Sequence, residues 1–568
     1  MNKLTAVLAA VVSVAVAQTV RAGTALSYSD GAVHEYDATT DESTVDSLAV
    51  SAASQFDLKK GELNVTASSA AIQASGGSVV KVEKDARLIA KTDATAAQSV
   101  LFKGGSKLTI DGGYVRAPCL LWSARNVAGG AYFDSGILEI MNGGTFIIDK
   151  TGSDPTYGMA ALGIDNASRV VVDNGSTLSL VNDNNAVFAL KTGGTGCSIS
   201  VTNSTVNYYK WNMGGNGSAQ GYSLNGCVNL HNAKLNNSVA NRTASLTIFG
   251  DKYETKNNLI RITGADSYVQ MSIETGCASV TPAGNAKNNT IELHEGVLDC
   301  TPGATIGLSL VNGSDNKFLQ FGGKMMPTFY YLGGTANAFE ISGGTFGVGD
   351  AKANSILTFN ANAKDCAVTL KGQSASMNLQ AYNAGQALAF TEGASGCKFT
   401  VDDSTLTVRG EQDFGKNCPN CVITLKGTTP RINITDWSAP KVFSCKFGDE
   451  SSDLDGKTVA LRFVLPAEPY AVVPVFANSN KPLKFCPNAK IVVDVGDWVI
   501  GTDKKKTFYP LVQDSNKGFN GEMTAELVAA LNAHATLPEG AALEYDSTTK
   551  TLGVRMPRKK LGLFLVVK

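Results

Sequence analysis

Apolar and polar residues alternate with period two in short runs along most of the chain, and the runs repeat. The stretch Cys397-Lys-Phe-Thr-Val-Asp-Asp-Ser-Thr-Leu-Thr-Val408 has close copies beginning at Cys197, Cys366 and Cys421. In each, a small residue is followed by apolar residues two and four positions on. A polar bend with Gly, Asn or Asp comes next, then a second alternation. Further copies begin at Ser106, Gly136, Ser168, Asn258, Asn289 and Asn337, with looser ones at Cys227, Lys317 and Cys445. Period two sends successive side chains to opposite faces of a strand, and the bends carry turn rather than helix chemistry. The starts lie 20–32 residues apart. A unit that short cannot bury its apolar face alone, so units must stack. The pattern predicts an all-β fold, a right-handed parallel β-helix, whose marked coils span roughly 60 Å. Residues 58–105 read as further, less regular coils.

The start residue shares parity with the two apolar residues after it and therefore points inward. Down the stack this slot reads Ser106, Gly136, Ser168, Cys197, Cys227, Asn258, Asn289, Lys317, Asn337, Cys366, Cys397, Cys421 and Cys445. An internal ladder is expected, in which Asn hydrogen-bonds to its copy one coil away and a thiol packs as a small hydrophobe. Side chains that point the same way on adjacent strands rarely meet the disulfide dihedral. Buried thiols are therefore expected for most of the 11 cysteines, an odd number. Cys418-Pro-Asn-Cys421 is a CxxC, but redox pairs need a helix N-terminus and zinc needs two further ligands. With Cys421 in the ladder, a structural role is expected, and no metal or cofactor is called for.

After about residue 450 the repeat fades. Residues 457–465 and 490–500 read as longer strands and 543–554 as a hairpin. The one helix is 524–535, with Leu527, Val528 and Leu531 on one face. An open solenoid end exposes core and strand edges, so 451–568 is expected to form a β-rich C-terminal cap containing that short helix. At the other end Lys3, the apolar residues 4–17 and Val20-Arg21-Ala22 read as a signal peptide over 1–22. Residues 23–57 then form an N-terminal cap or edge segment and 58–450 the β-helix. No later segment approaches the roughly 18 apolar residues of a spanning helix. The mature chain is expected to be secreted or at the cell surface, without a transmembrane segment.

Composition narrows the function further. Among 568 residues, 50 acidic and 49 basic side chains balance to −1, which removes the electrostatic footprint of a nucleic-acid binder. A hydrophobic content of 43% against 17% charged argues against disorder. Only four histidines, at 34, 231, 294 and 534, leave little room for a His-based metal or triad site.

Two sets of residues are candidates for chemistry. The position three after each start forms an outward row of Arg261, Glu292, Gln320, Glu340, Thr369, Thr400 and Thr424. Arg261 and Glu292 fall one coil apart, within reach of an ion pair. β-Helical polysaccharide lyases use an Arg base beside acidic calcium ligands, so Arg261, Glu292 and Glu340 mark where a catalytic centre would lie. The Asp pairs, His-bearing turn and Arg-Ile-Lys pattern of β-helical galacturonases are missing, and a surface charge ladder is the expectation. The second set is aromatic: Tyr208, Tyr209, Trp211 and Tyr222 in one inter-coil segment, and Phe329, Tyr330 and Tyr331 in another. Rings on loops of a rigid scaffold are candidate glycan contacts. A core stack is the alternative, since Val206 and Tyr208 share parity.

Over roughly residues 60–450 these coils resemble passenger-type β-helices of Gram-negative bacterial surfaces, the autotransporter-passenger and adhesin-like group with a pectin-lyase-like fold. The tail from 508–512 through 537–546 is similar to the ends of such secreted repeat proteins. The tail does not match an autotransporter's translocating barrel, which needs at least eight strands of about ten residues. Export by the general secretion route, with another anchor or release, is therefore implied. The resemblance implies a non-enzymatic structural or adhesive rod whose partners are extracellular glycans or surface proteins. The alternative is a β-helix polysaccharide lyase or hydrolase acting on acidic glycans.

Overall fold

The structure, a computed structural model, describes residues 24–67, 70–92, 99–119, 130–150, 159–181, 188–192, 194–208, 210–213, 223–237, 245–248, 254–275, 286–300, 308–326, 329–347, 354–381, 385–435, 445–495 and 507–557. The expected signal peptide, Tyr209 and Tyr222 lie outside the described residues.

The chain is a parallel β-solenoid in which each coil contributes three strands. In one coil Met159–Asp165, Arg169–Asp173 and Thr177–Val181 follow one another, and Phe188–Thr192 opens the next. Each strand pairs in parallel with its copy one coil later, as Arg169–Asp173 does with Ser198–Thr202. Stacking produces three faces. The first is a 14-stranded sheet from Ala25–Tyr28 to Leu388–Phe390, about 60 Å long at the usual strand spacing. The second runs from Val33–Asp37 to Ile491–Asp494, and the third ends at Phe508–Asp514.

Alternation dictates which side chains enter the core. Ser198–Thr202 buries Ile199 and Val201, and Leu259–Thr263 buries Ile260 and Ile262. The corner between the first and second faces is made by one backbone feature. The residue just before the inward small residue has positive φ: Gly196 73°, Asn225 56°, Asn257 57°, Asn288 53°, Asp315 58°, Asp365 55°, Gly396 65°. Gly, Asn and Asp tolerate this left-handed conformation best, which explains their abundance in the bends.

Inside, like aromatics stack across coils. Phe359 and Phe390 lie 4.5 Å apart, Phe414 follows at 6.3 Å, and Phe447 and Phe485 follow at 5.1 Å steps. Phe519 and Tyr545 extend the column into the C-terminal region. Each buried Phe contributes up to about 3 kcal/mol of apolar transfer.

Parallel pairing runs past both edges of the 58–450 repeat. Ala25–Tyr28 pairs with Ser47–Val50, and Val33–Asp37 with Gln55–Ala67. At the far end Val422–Lys426 is followed by Ala460–Val464 and then Ile491–Asp494. Longer connections there conceal the repeat in the sequence. Among the described strands, antiparallel pairing joins Phe508–Asp514 to Thr551–Arg555, which forms a hairpin with Ala542–Asp546. Between them lies the helix Ala525–His534, whose first turn is capped by Thr524 accepting from the Leu527 amide at 3.2 Å. Leu531 is its buried residue. Just beyond, Thr536 exchanges backbone hydrogen bonds with Ile491 and Val493 at 2.9 Å, satisfying part of the last coil's edge. Among the described residues, no helix is long and apolar enough to cross a membrane.

Candidate functional site

The inward corner slot is a polar ladder. Asn258 donates from both its backbone amide and its Nδ2 to Asn289 Oδ1, at 3.2 and 2.8 Å. Asn289 does the same to Asn316 Oδ1, and Asn316 to Asn337 Oδ1. Each Nδ2 also donates to a backbone carbonyl of the corner, Asn289 to Thr255 and Asn337 to Gly333. All four amides are buried and fully engaged, the condition under which a buried polar group stabilises rather than costs. Ser106, Ser168, Cys197, Cys366, Cys397 and Cys421 occupy the same slot and are buried.

Three expected rungs are misplaced. The rung between Asn289 and Asn337 is Asn316, and Lys317 is exposed beside it. Gly226 takes the place assigned to Cys227, which is half-buried on the outer side. A one-residue slip reverses every side chain of a strand, so both errors exchange inside for outside. Cys445 is buried but belongs to a separate three-stranded sheet with Gln412–Asp413 and Leu483–Phe485.

The nine cysteines with described side chains are free thiols. Cys366 Sγ donates to the Gly333 carbonyl at 3.4 Å, and Cys421 Sγ to that of Ala394 at 3.5 Å. The neighbouring Cys397 thiol and burial push the Cys366 thiol upward. In the CxxC, burial pushes Cys418 up to about 12, and its Sγ donates to Thr391 O at 3.3 Å. A raised pKa is the opposite of what a redox or metal-binding thiolate needs.

Outside, the second face carries the expected row, with one correction. Backbone register aligns Arg261, Glu292, Leu319, Glu340, Thr369, Thr400 and Thr424. Leu319 stands where Gln320 was expected; Gln320 is inward and buried, and its Nε2 donates to Thr345 O at 3.1 Å. Arg261 Nε donates to Glu292 Oε2 at 2.7 Å, and His294 Nε2 lies 3.0 Å from the same oxygen. Burial acts to raise the Glu292 carboxyl, but the bonds from Arg261 and His294 outweigh it and hold the group below its ordinary range. The bond to Glu292 raises the Arg261 guanidinium. Glu340 is two rungs from Glu292, with Leu319 between, so the three candidate catalytic residues do not converge. His294 completes this cluster. Its parity with Glu292, two residues apart on one strand face, was the signal for it.

The aromatic candidates divide. Tyr208, Trp211 and Tyr330 are interior, at 1%, 2% and 0% exposure. Tyr208 O–H donates to Gln270 O at 3.0 Å, and Tyr330 stacks on Phe346 at 4.2 Å. These three are core, as the parity of Val206 and Tyr208 allows, and are out of a glycan's reach. Phe329 and Tyr331 are half-buried on the outer side of the first face, their rings nearly parallel at 6.2 Å. Among the described residues, no group of three or more His, Cys, Asp or Glu side chains is placed to hold a metal ion.

No family profile, curated protein or solved structure matches the chain.

Proposed function

We infer that the chain is an exported, non-enzymatic β-solenoid rod, secreted or held at a cell surface, that presents its outward rows to extracellular glycans or surface proteins. The observation that carries this reading is the state of Arg261. A lyase base must give up its proton to receive the substrate's. Arg261 instead spends its Nε–H on Glu292 at 2.7 Å, and that bond makes the guanidinium hold its proton harder. Function is then geometric: stacked coils keep outward side chains at fixed strand spacing, as an extended binding surface requires. The resemblance to passenger-type β-helices supports the same reading.

Incubating the full chain with polygalacturonate and alginate in the presence of calcium is expected to release no unsaturated uronate. Sustained product formation that disappears in Arg261→Ala would overturn the reading in favour of a lyase.

A further inference from the structure

Phe321 is 48% exposed, and it is the one aromatic ring among the large exposed apolar side chains of the described residues. It directly follows the strand Lys317–Gln320, whose last residue is buried, and so falls on the outward side of the second face. One face of the ring stacks on the imidazole of His294 in the preceding coil, with centroids 4.7 Å apart and planes at 26°. His294 is itself held by Glu292 at 3.0 Å, so the platform has a fixed backing. Continuing the register of the paired strands puts Ser342 on the following rung and Lys371 on the one after. Ser342 is short and exposed, too small to cover the Phe321 ring, which keeps 48% of its surface accessible. Two strand spacings, about 9.6 Å, separate the Phe321 and Lys371 rungs. That gap has the thickness of one sugar ring with contact on both sides. Glu340 lies two residues before Ser342 on the same outward side, is exposed, and makes no ion pair among the described residues.

The geometry points to a binding site for a neutral hexose glycan, with one pyranose stacked on the open face of Phe321 over Ser342. A pyranose has an apolar face of C–H groups that packs on an aromatic ring. Its hydroxyls donate to the Glu340 carboxylate in charge-assisted hydrogen bonds, and the Lys371 ammonium donates to ring or hydroxyl oxygens from the far side. Glu340 and Lys371 offset each other and leave the site without net charge, so it suits a neutral sugar that hydrogen-bonds to both better than the acidic glycans of a lyase. The site rests on the reading of the chain as a glycan-presenting rod and assigns it a place and a sugar class.

The test is calorimetric titration of the full chain with cellohexaose, maltohexaose, mannohexaose and hexagalacturonate. At least one neutral hexamer is expected to bind, and to bind more tightly than hexagalacturonate. Phe321→Ala is expected to weaken it about tenfold or more, the loss of a stacking contact. Ser342→Arg, which fills the adjacent rung while keeping the ring, should do the same. Val33→Ala, at an exposed apolar residue near the N-terminal end of the solenoid, should leave binding within about twofold. Absence of binding by every neutral hexamer overturns the site. Binding that survives both Phe321→Ala and Ser342→Arg also overturns it, yet leaves the rod reading standing. Release of uronate products in the parallel assay would overturn the rod reading without touching these affinities.

Discussion

At the scale of single residues, the corner ladder shows why some positions tolerate so few side chains. Asn289 Oδ1 accepts from Asn258 twice, while its Nδ2 donates to Asn316 and to the Thr255 carbonyl. Truncating it orphans buried groups above and below. Each orphaned buried group costs about 1–3 kcal/mol, so Asn289→Ala is expected to lower stability by about 2–5 kcal/mol in denaturant titration. Asn289→Cys should cost less, because the thiols of Cys366 and Cys421 already serve this slot by donating to corner carbonyls. A full-length Asn289→Ala chain with an unchanged midpoint would remove the ladder as a source of stability.

At the scale of the element, the coil corner is one left-handed residue followed by one small inward residue. Most corners use Gly, Asn or Asp for the first, but Ala336 holds φ 55° there. A side chain with a Cβ costs about 1–2 kcal/mol in that conformation, so Ala336→Gly is expected to raise the melting temperature. Ala338→Gly, two residues on in the strand Ala338–Ile341, should lower it, since Gly weakens a strand. The opposite outcome at position 336 would mean the corner is not strained. The period-two alternation made the parallel solenoid and the outward placement of Arg261 and Glu292 legible, and the helical spacing of Leu527, Val528 and Leu531 did the same for the helix at 525–534. Register was legible only where the inward slots were apolar. At Asn316 the fourth position on is Gln320, a buried amide, while Leu319 faces outward. This inversion shifted the apparent frame by one residue and hid Phe321 with it. At Gly226 the adjacent cysteine drew the frame away, because Cys197 begins the coil before. Tyr208 and Tyr330 could not be told from loop aromatics without knowing which side of the strand was filled.

At the scale of the whole molecule, each coil touches mainly its neighbours, so the two ends are where core and strand edges need covering. The C-terminal end is covered: Thr536 bonds to Ile491 and Val493, Phe519 joins the aromatic column, and Leu531 seals the helix against the core. Leu531→Asp puts an unpaired charge into that seal and is expected to loosen the cap while the coils remain folded. The β-sheet circular dichroism should persist, and sedimentation should show concentration-dependent association through the uncovered strand edge. A variant that stays monomeric at every concentration would show that the cap is dispensable for protecting the edge.

The ladder has a consequence for how such a chain changes over generations. Asn258 and Asn289 are 31 residues apart and Asn316 and Asn337 only 21, yet the same hydrogen bond from a backbone amide to an Asn Oδ1 joins each pair. The corner is indifferent to how much chain is spent between visits, provided each visit brings its two residues. Duplication or loss of a whole coil therefore leaves every remaining joint intact, whereas insertion of a single residue inside a strand does not. The length of the solenoid becomes a heritable quantity that can be adjusted in whole steps of one strand spacing.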